Sequence, residues 1–339
     1  MRRWSVLVVL LAGITSAAVV IAGHLGSGAA RTTLTSAPRD HRGAAPSAAL
    51  LTVATLGWHL PAALSRPVAV AVGGEALLLA GLHAGDVSTA DVVRVDPAKA
   101  SAAMVGSLPV AVHDAGGAAL GGTAFVFAGG AATTQSAVQA FRGVHAVVAG
   151  SLPVGRSDLA AVTVHGVAYV LGGFDGSELV PAILATRDGS SFSTVGALAQ
   201  PVRYPAVAAL GSEVYVVGGA LSTTEGTLGG PQTADIQRFD PATGSTTIIG
   251  HLPHVLSHAM ALVLGGQLYV LGGRDGTQLS GDIWRIDTHS GHAAHVGSWA
   301  SPRSDAGAVV IGSVGYLLGG EVSGPVDPVA TVTAVRLAH

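Results

Sequence analysis

Tyr269-Val270-Leu271-Gly272-Gly273 decides the fold, because the same phrase occurs six times along the chain. Tyr169-Val170-Leu171-Gly172-Gly173, Tyr215-Val216-Val217-Gly218-Gly219 and Tyr316-Leu317-Leu318-Gly319-Gly320 repeat it closely. Phe125-Val126-Phe127-Ala128-Gly129-Gly130 is a looser copy, and Leu77-Leu78-Leu79-Ala80-Gly81 a degraded one. The first residue of each closing pair falls at 80, 129, 172, 218, 272 and 319, so the spacings are 49, 43, 46, 54 and 47. A β-rich period near 47 residues is that of propeller blades.

Each copy carries the same grammar. In the fifth, Ala259 to Leu264 is an apolar run, Gly265-Gly266 a tight turn, and Gln267 to Leu271 a second run. Asp282 to Ile286 and Ala293 to Val296 follow as third and fourth, separated by the turn Thr288 to Gly291. Four short antiparallel strands with glycine-rich turns make one blade. The first two strands are apolar on both faces, as expected of strands sandwiched between neighbouring blades. No apolar stripe at 3.6-residue spacing supports a helical alternative. The expected fold is all-β, a six-bladed propeller over residues 48–339. The last copy lacks a fourth strand, and Leu50 to Leu56 is an orphan strand upstream of the first blade. The orphan is expected to pair with Thr331 to Leu337 and remove the open edge.

Composition narrows the function. The chain has 339 residues, with 49% hydrophobic and 11% charged, which rules out a disordered polypeptide. Net charge is −3, which disfavours nucleic acid as a partner. There is no Cys, so disulfides, thiolate metal sites and a Cys nucleophile are excluded. No Gly-x-Ser-x-Gly elbow and no phosphate loop occur. His251, His254 and His258, and His289, His292 and His295, have a spacing that suits a helix face, but they lie in turns and strands. Neither a metal nor a cofactor is expected.

The double glycine after a short apolar run with an aromatic resembles the kelch repeat, over about residues 57–339. The usual downstream Trp is matched only by Trp284, the other blades carrying Val, Ile or Ala in that strand. The resemblance implies a divergent, bacterial-type kelch propeller without the Cys-dependent copper site of the related oxidases. It also implies two functional classes. One is a non-catalytic binding or scaffold module that presents its loop face to a protein or glycan. The alternative is a carbohydrate-directed enzyme of the sialic-acid mutarotase type.

The N-terminus reads as a targeting segment. Arg2 and Arg3 precede a 19-residue apolar run, Trp4 to Ala22, expected to be a hydrophobic helix. It suits a membrane anchor, and Gly28-Ala29-Ala30 also suits cleavage of a signal peptide. Residues 1–30 are therefore assigned as signal or anchor and 31–47 as a flexible linker. Positive charge before the run places the remainder outside the cytoplasm, anchored or secreted.

Chemistry is expected where the loops leading into each innermost strand rim the central channel. Counting back 16 residues from each pair gives triplets that start at Leu64, His113, Arg156, Val202, Leu256 and Arg303. Arg66, His113, Asp114, Arg156, Asp158, Arg203, Tyr204, His258, Arg303 and Asp305 are the candidate ligand-binding residues; none is assigned a catalytic role. Arg156-Ser157-Asp158 and Arg303-Ser304-Asp305 lie three blades apart and are expected to face each other. Their guanidinium groups suit a carboxylate or sugar acid, unless each Asp neutralises its Arg locally.

Overall fold

A computed structural model describes residues 51–224, 229–323 and 327–338. The expected N-terminal helix and linker lie outside the described residues. Among those described, no helix is long and apolar enough to cross a membrane.

Six antiparallel sheets follow one another along the chain, five of four strands and the first of five, the short strand Leu82–His83 being added at its edge. Blade one comprises Val68–Val72, Glu75–Leu79, Val87–Asp96 and Ser101–Val112. Blades two to five begin at Gly116–Leu120, Ala160–Val164, Ala206–Leu210 and Met260–Leu264. Blade six has Gly307–Ile311, Val314–Leu318 and Thr331–Leu337, completed by Leu51–His59. The register Leu51↔Leu337 to Thr55↔Thr333 makes the expected closure antiparallel. The backbone groups of the last strand thus find partners from the start of the domain.

The apolar residues form six core clusters, one at each junction between adjacent blades. Second strands are covered on both faces; every residue of Val167–Leu171 is buried. This explains a composition so apolar in a chain without a single large core.

Pairing also locates the counterparts of Trp284. Val270↔Trp284 corresponds to Val126↔Gln139 and Val216↔Gln237 in blades two and four. Both glutamines are fully buried. Each holds the preceding loop by two points: Gln139 to Val110 N and O (2.8 and 3.0 Å), Gln237 to Gln200 N and O (3.0 and 2.9 Å). The amide clamp occupies a place where Val, Ile or Ala was expected, and satisfies loop groups that would otherwise be buried unpaired.

Candidate functional site

The site is built on hydrogen bonds that tie each blade to the next. The second residue of every closing pair donates its N–H to the loop entering the next blade. The bonds are Gly81→Val112, Gly129→Arg156, Gly173→Val202, Gly219→Leu256, Gly273→Arg303 and Gly320→Leu64, all 2.7–3.0 Å. In blade two the pair is therefore Ala128-Gly129, with φ of 57° and 112°, matching Ala80-Gly81 at 60° and 114°. This corrects the expected register there by one residue. His113 joins the row Ser65, Ser157, Arg203, Ser257 and Ser304, whose members all bridge to the residue after a pair.

Next in each loop comes Arg66, Asp114, Asp158, Tyr204, His258 or Asp305. All six have left-handed φ, between 51° and 60°. Five successive N–H···O bonds run around them, including Tyr204→Asp158 (2.9 Å), His258→Tyr204 (3.0 Å) and Arg66→Asp305 (2.8 Å). The reversed backbone turns each side chain towards the axis. The six form a floor between two spaces; five of them line both, and Asp305 lines the lower one alone. Above it is a cup of about 650 Å³ on the loop face, also lined by Asp86, His113, Thr134, Ser222 and Gln232. Below it a narrower channel of about 200 Å³ runs past Ala69, Gly117, Ala161 and Val207.

The floor is a network of opposite charges. Arg66 Nη1 donates to Asp114 Oδ2 (3.0 Å) and its Nε to Glu321 Oε1 (3.1 Å). Arg274 Nη2 donates to Glu321 Oε2 (3.2 Å). Arg203 forms an ion pair with Asp158, off the angle of a hydrogen bond. Tyr204 lies among them: its hydroxyl donates to Asp114 (3.4 Å) and accepts from Arg203 Nη2 (3.3 Å). Its ring stacks on His258 with centroids 4.0 Å apart. Burial raises the Tyr204 hydroxyl pKa well above its usual value.

His258 is held in one tautomer. Gln232 Oε1 accepts the Gly276 N–H (3.1 Å), so its Nε2 donates to Ser257 Oγ (2.9 Å). The Ser257 hydroxyl hydrogen then goes to His258 Nδ1 (2.7 Å), leaving the proton on Nε2. Burial, reinforced by Arg66, pulls the imidazole pKa down to about 3, so it stays neutral.

Eight of the ten sequence candidates sit in or beside this floor, and Asp158 and Asp305 stand three blades apart around it. Arg156 and Arg303 do not, which corrects the expectation that they meet an anion across the channel. They are 2% and 3% exposed. Arg156 Nη1 donates to Gly172 O (3.3 Å) and Ala182 O (3.0 Å); Arg303 Nη1 donates to Gly319 O and Thr333 Oγ1. Arg303 also covers the Trp299 ring at 5.2 Å. Both point outward along the blade junction because they occupy the buried row that includes Leu64 and Val202. Arg156→Met is expected to cost about 1–3 kcal/mol by chemical denaturation while leaving any ligand affinity of the cup unchanged. A weaker affinity with full stability would contradict this placement.

Arg274, Glu321, Gln232 and Ser257 are bonded neighbours of the floor outside the ten candidates. Arg274 and Glu321 both stand two residues after the first glycine of their pair, in adjacent blades. Opposite charges at that shared position were the available signal.

Three buried acids give the floor a pH dependence. Burial and Asp114 push Asp158 up to about 7, burial pushes Asp305 up to about 6, and burial and Asp305 push Glu321 up to about 7. A carboxyl pKa raised on folding adds stability at low pH that is lost as pH rises through its folded value. His258 opposes this, since the unfolded imidazole takes up a proton below its ordinary pKa. Three acids outweigh one imidazole, so melting temperature is expected to fall between about pH 5 and pH 8. Asp158→Asn should flatten the profile; an unchanged slope would exclude Asp158 as its source.

Comparison with known proteins agrees with the geometry. A kelch motif matches residues 257–292, which span the His258 loop and most of blade five. The chain is a six-bladed β-propeller that carries a kelch motif in its fifth blade. The propeller superposes on the solved structure of YjhT with a TM-score of 0.69, at 14% identity, covering 82% of this chain and 96% of that one. At that identity the likeness concerns the fold alone. No curated protein matches the chain in sequence. Matches to 663 chains of solved structures show how widely this architecture is used.

Proposed function

We propose that this kelch propeller is an exported, non-catalytic binding module that takes a polar group of a protein or carbohydrate partner into the cup on its loop face. The observation that carries the proposal is the make-up of the floor. Its charges are largely paired, and besides the buried Arg203 Nε three donors of cup-lining residues are left over. Arg66 Nη2, Arg203 Nη1 and His258 Nε2 have no partner among the described residues. Such a floor offers directional hydrogen bonds without a strong net pull on an anion, which suits hydroxyl and carbonyl groups better than a free acid. Export rests on the apolar run Trp4 to Ala22 behind Arg2 and Arg3.

A thermal-shift panel of neutral sugars, sugar acids, amides and simple anions tests the cup, because a ligand of the folded state raises the melting temperature. A shift with neutral polar ligands that Tyr204→Ala abolishes supports the module. Response to anions alone would overturn the neutral-group preference.

The mutarotase reading retains one specific observation. His258 presents a fixed neutral donor, and the buried Asp305 Oδ2 has no hydrogen-bond partner among the described residues. These could serve as donor and base for proton transfer on a sugar. Anomer interconversion followed by NMR, with His258→Ala as control, decides it; a rate equal to buffer removes this reading.

A further inference from the structure

We propose that the loop face docks a lysine- or arginine-rich protein segment around the mouth of the cup. This rests on the binding-module reading and assigns the partner's chemistry. In the loops that follow the glycine pairs, Asp86, Glu178, Asp275 and Asp327 are exposed. No exposed Lys or Arg accompanies them among the described loops of this face. The arginines on this side, Arg66, Arg156, Arg203, Arg274 and Arg303, are buried or nearly so and already bonded to protein. Exposed cations lie on the opposite face, where the third strands end: Lys99, Arg142, Arg187 and Arg336. Asp175 joins the acidic rim in a fixed form. Its Oδ1 accepts the N–H groups of Ser177 and Glu178 at 2.8 Å, which hold its carboxyl pKa below the usual value.

Two features make the surface fit a polypeptide rather than a diffuse cloud of cations. Val87, Val154, Val255 and Val322 stand exposed in or beside the loops of this face, at 56, 51, 36 and 38%. Lys and Arg bury their aliphatic stems on such surface while their heads reach neighbouring carboxylates. Inside the cup, His258 is 8% exposed, and its Nε2–H has no partner among the described residues. With Arg66 Nη2 and Arg203 Nη1 it can meet backbone carbonyls of the docked segment. The acidic rim disfavours nucleic acid and anionic lipid at this face and speeds encounter with a basic partner.

The test uses the full chain in detergent and fluorescent decalysine, with decaglutamate as the opposite probe, followed by anisotropy. Decalysine is expected to bind, and to weaken about tenfold or more between 50 and 300 mM salt; decaglutamate is expected not to bind. Asp86→Asn/Glu178→Gln/Asp275→Asn should weaken decalysine at least about tenfold. Glu75→Gln/Glu213→Gln on the opposite face should leave it within about twofold. No decalysine binding at 50 mM salt, or equal losses in both variants, overturns the proposal. A melting-temperature response to neutral polar ligands that survives in the triple variant shows that the cup reading stands apart from this outcome.

Discussion

Replacing Gly273 with alanine is expected to cost about 3 kcal/mol or more of folding stability. Gly273 has φ +86°, and a Cβ there would meet Ser257 O at 2.5 Å and the Ala259 Cα at 2.8 Å. Neither neighbour can move freely. Ser257 bridges to Arg274, and His258 beside it belongs to the floor. The same collision, with the carbonyl of the bridging residue, recurs at Gly173 with Ser157 O at 2.5 Å. The preceding position supplies an internal control. Ala80 and Ala128 occupy it in blades one and two with φ of 60° and 57°. A Cβ on Gly172 would meet Val202 O at 2.8 Å, a looser approach than the 2.5 Å at Gly173, and alanine is already accommodated at this place in two blades, so Gly172→Ala is expected to lose less, about 1–2 kcal/mol. Chemical denaturation of Gly173→Ala and Gly172→Ala side by side checks the ordering; equal losses would contradict it.

Glu321→Ala is the second large effect, about 3–5 kcal/mol. Glu321 is fully buried and receives Arg66 at 3.1 Å and Arg274 at 3.2 Å. Removing its carboxylate leaves Arg274 with carbonyl partners only, Thr277 O and Ser323 O at 3.3 Å. Arg66 keeps Asp114 but loses half of its neutralisation. Arg274→Met/Glu321→Leu removes both charges together and should recover much of the loss, because an uncompensated buried charge costs more than an absent pair. Denaturant unfolding of the two variants gives the comparison. A double variant as unstable as Glu321→Ala would mean that packing, not charge, sets the effect.

These expectations bear on function through the floor. Its charges are set by side chains from all six blades, so damage to one junction should loosen the cup as well as the fold. Apart from the floor residues themselves, the narrow channel beneath is lined by Gly, Ala, Pro, Val and Leu.

The sequence by itself determined the blade number, the four-strand grammar and the closure by the strand expected at Leu50 to Leu56, which the structure places at Leu51–His59. Each of these depends on local pattern: a glycine pair after an apolar run, repeated at near-constant spacing. Eight candidate residues were legible for the same reason, since one offset from the pair marks the same loop in every blade. Only the tertiary structure decided which guanidinium groups reach the axis. Arg156 and Arg203 differ by one place in their loops, yet the first runs into the blade junction and the second meets Asp158. That one-residue difference selects the side of the chain on which a side chain emerges, and a missing glycine hid it in blade two, where Ala128 stands in the first place of the pair. The pairing of Arg66 with Glu321 joins residues 255 apart in the chain. No local pattern encodes such a pair, because the contact exists only once the ring of blades has closed.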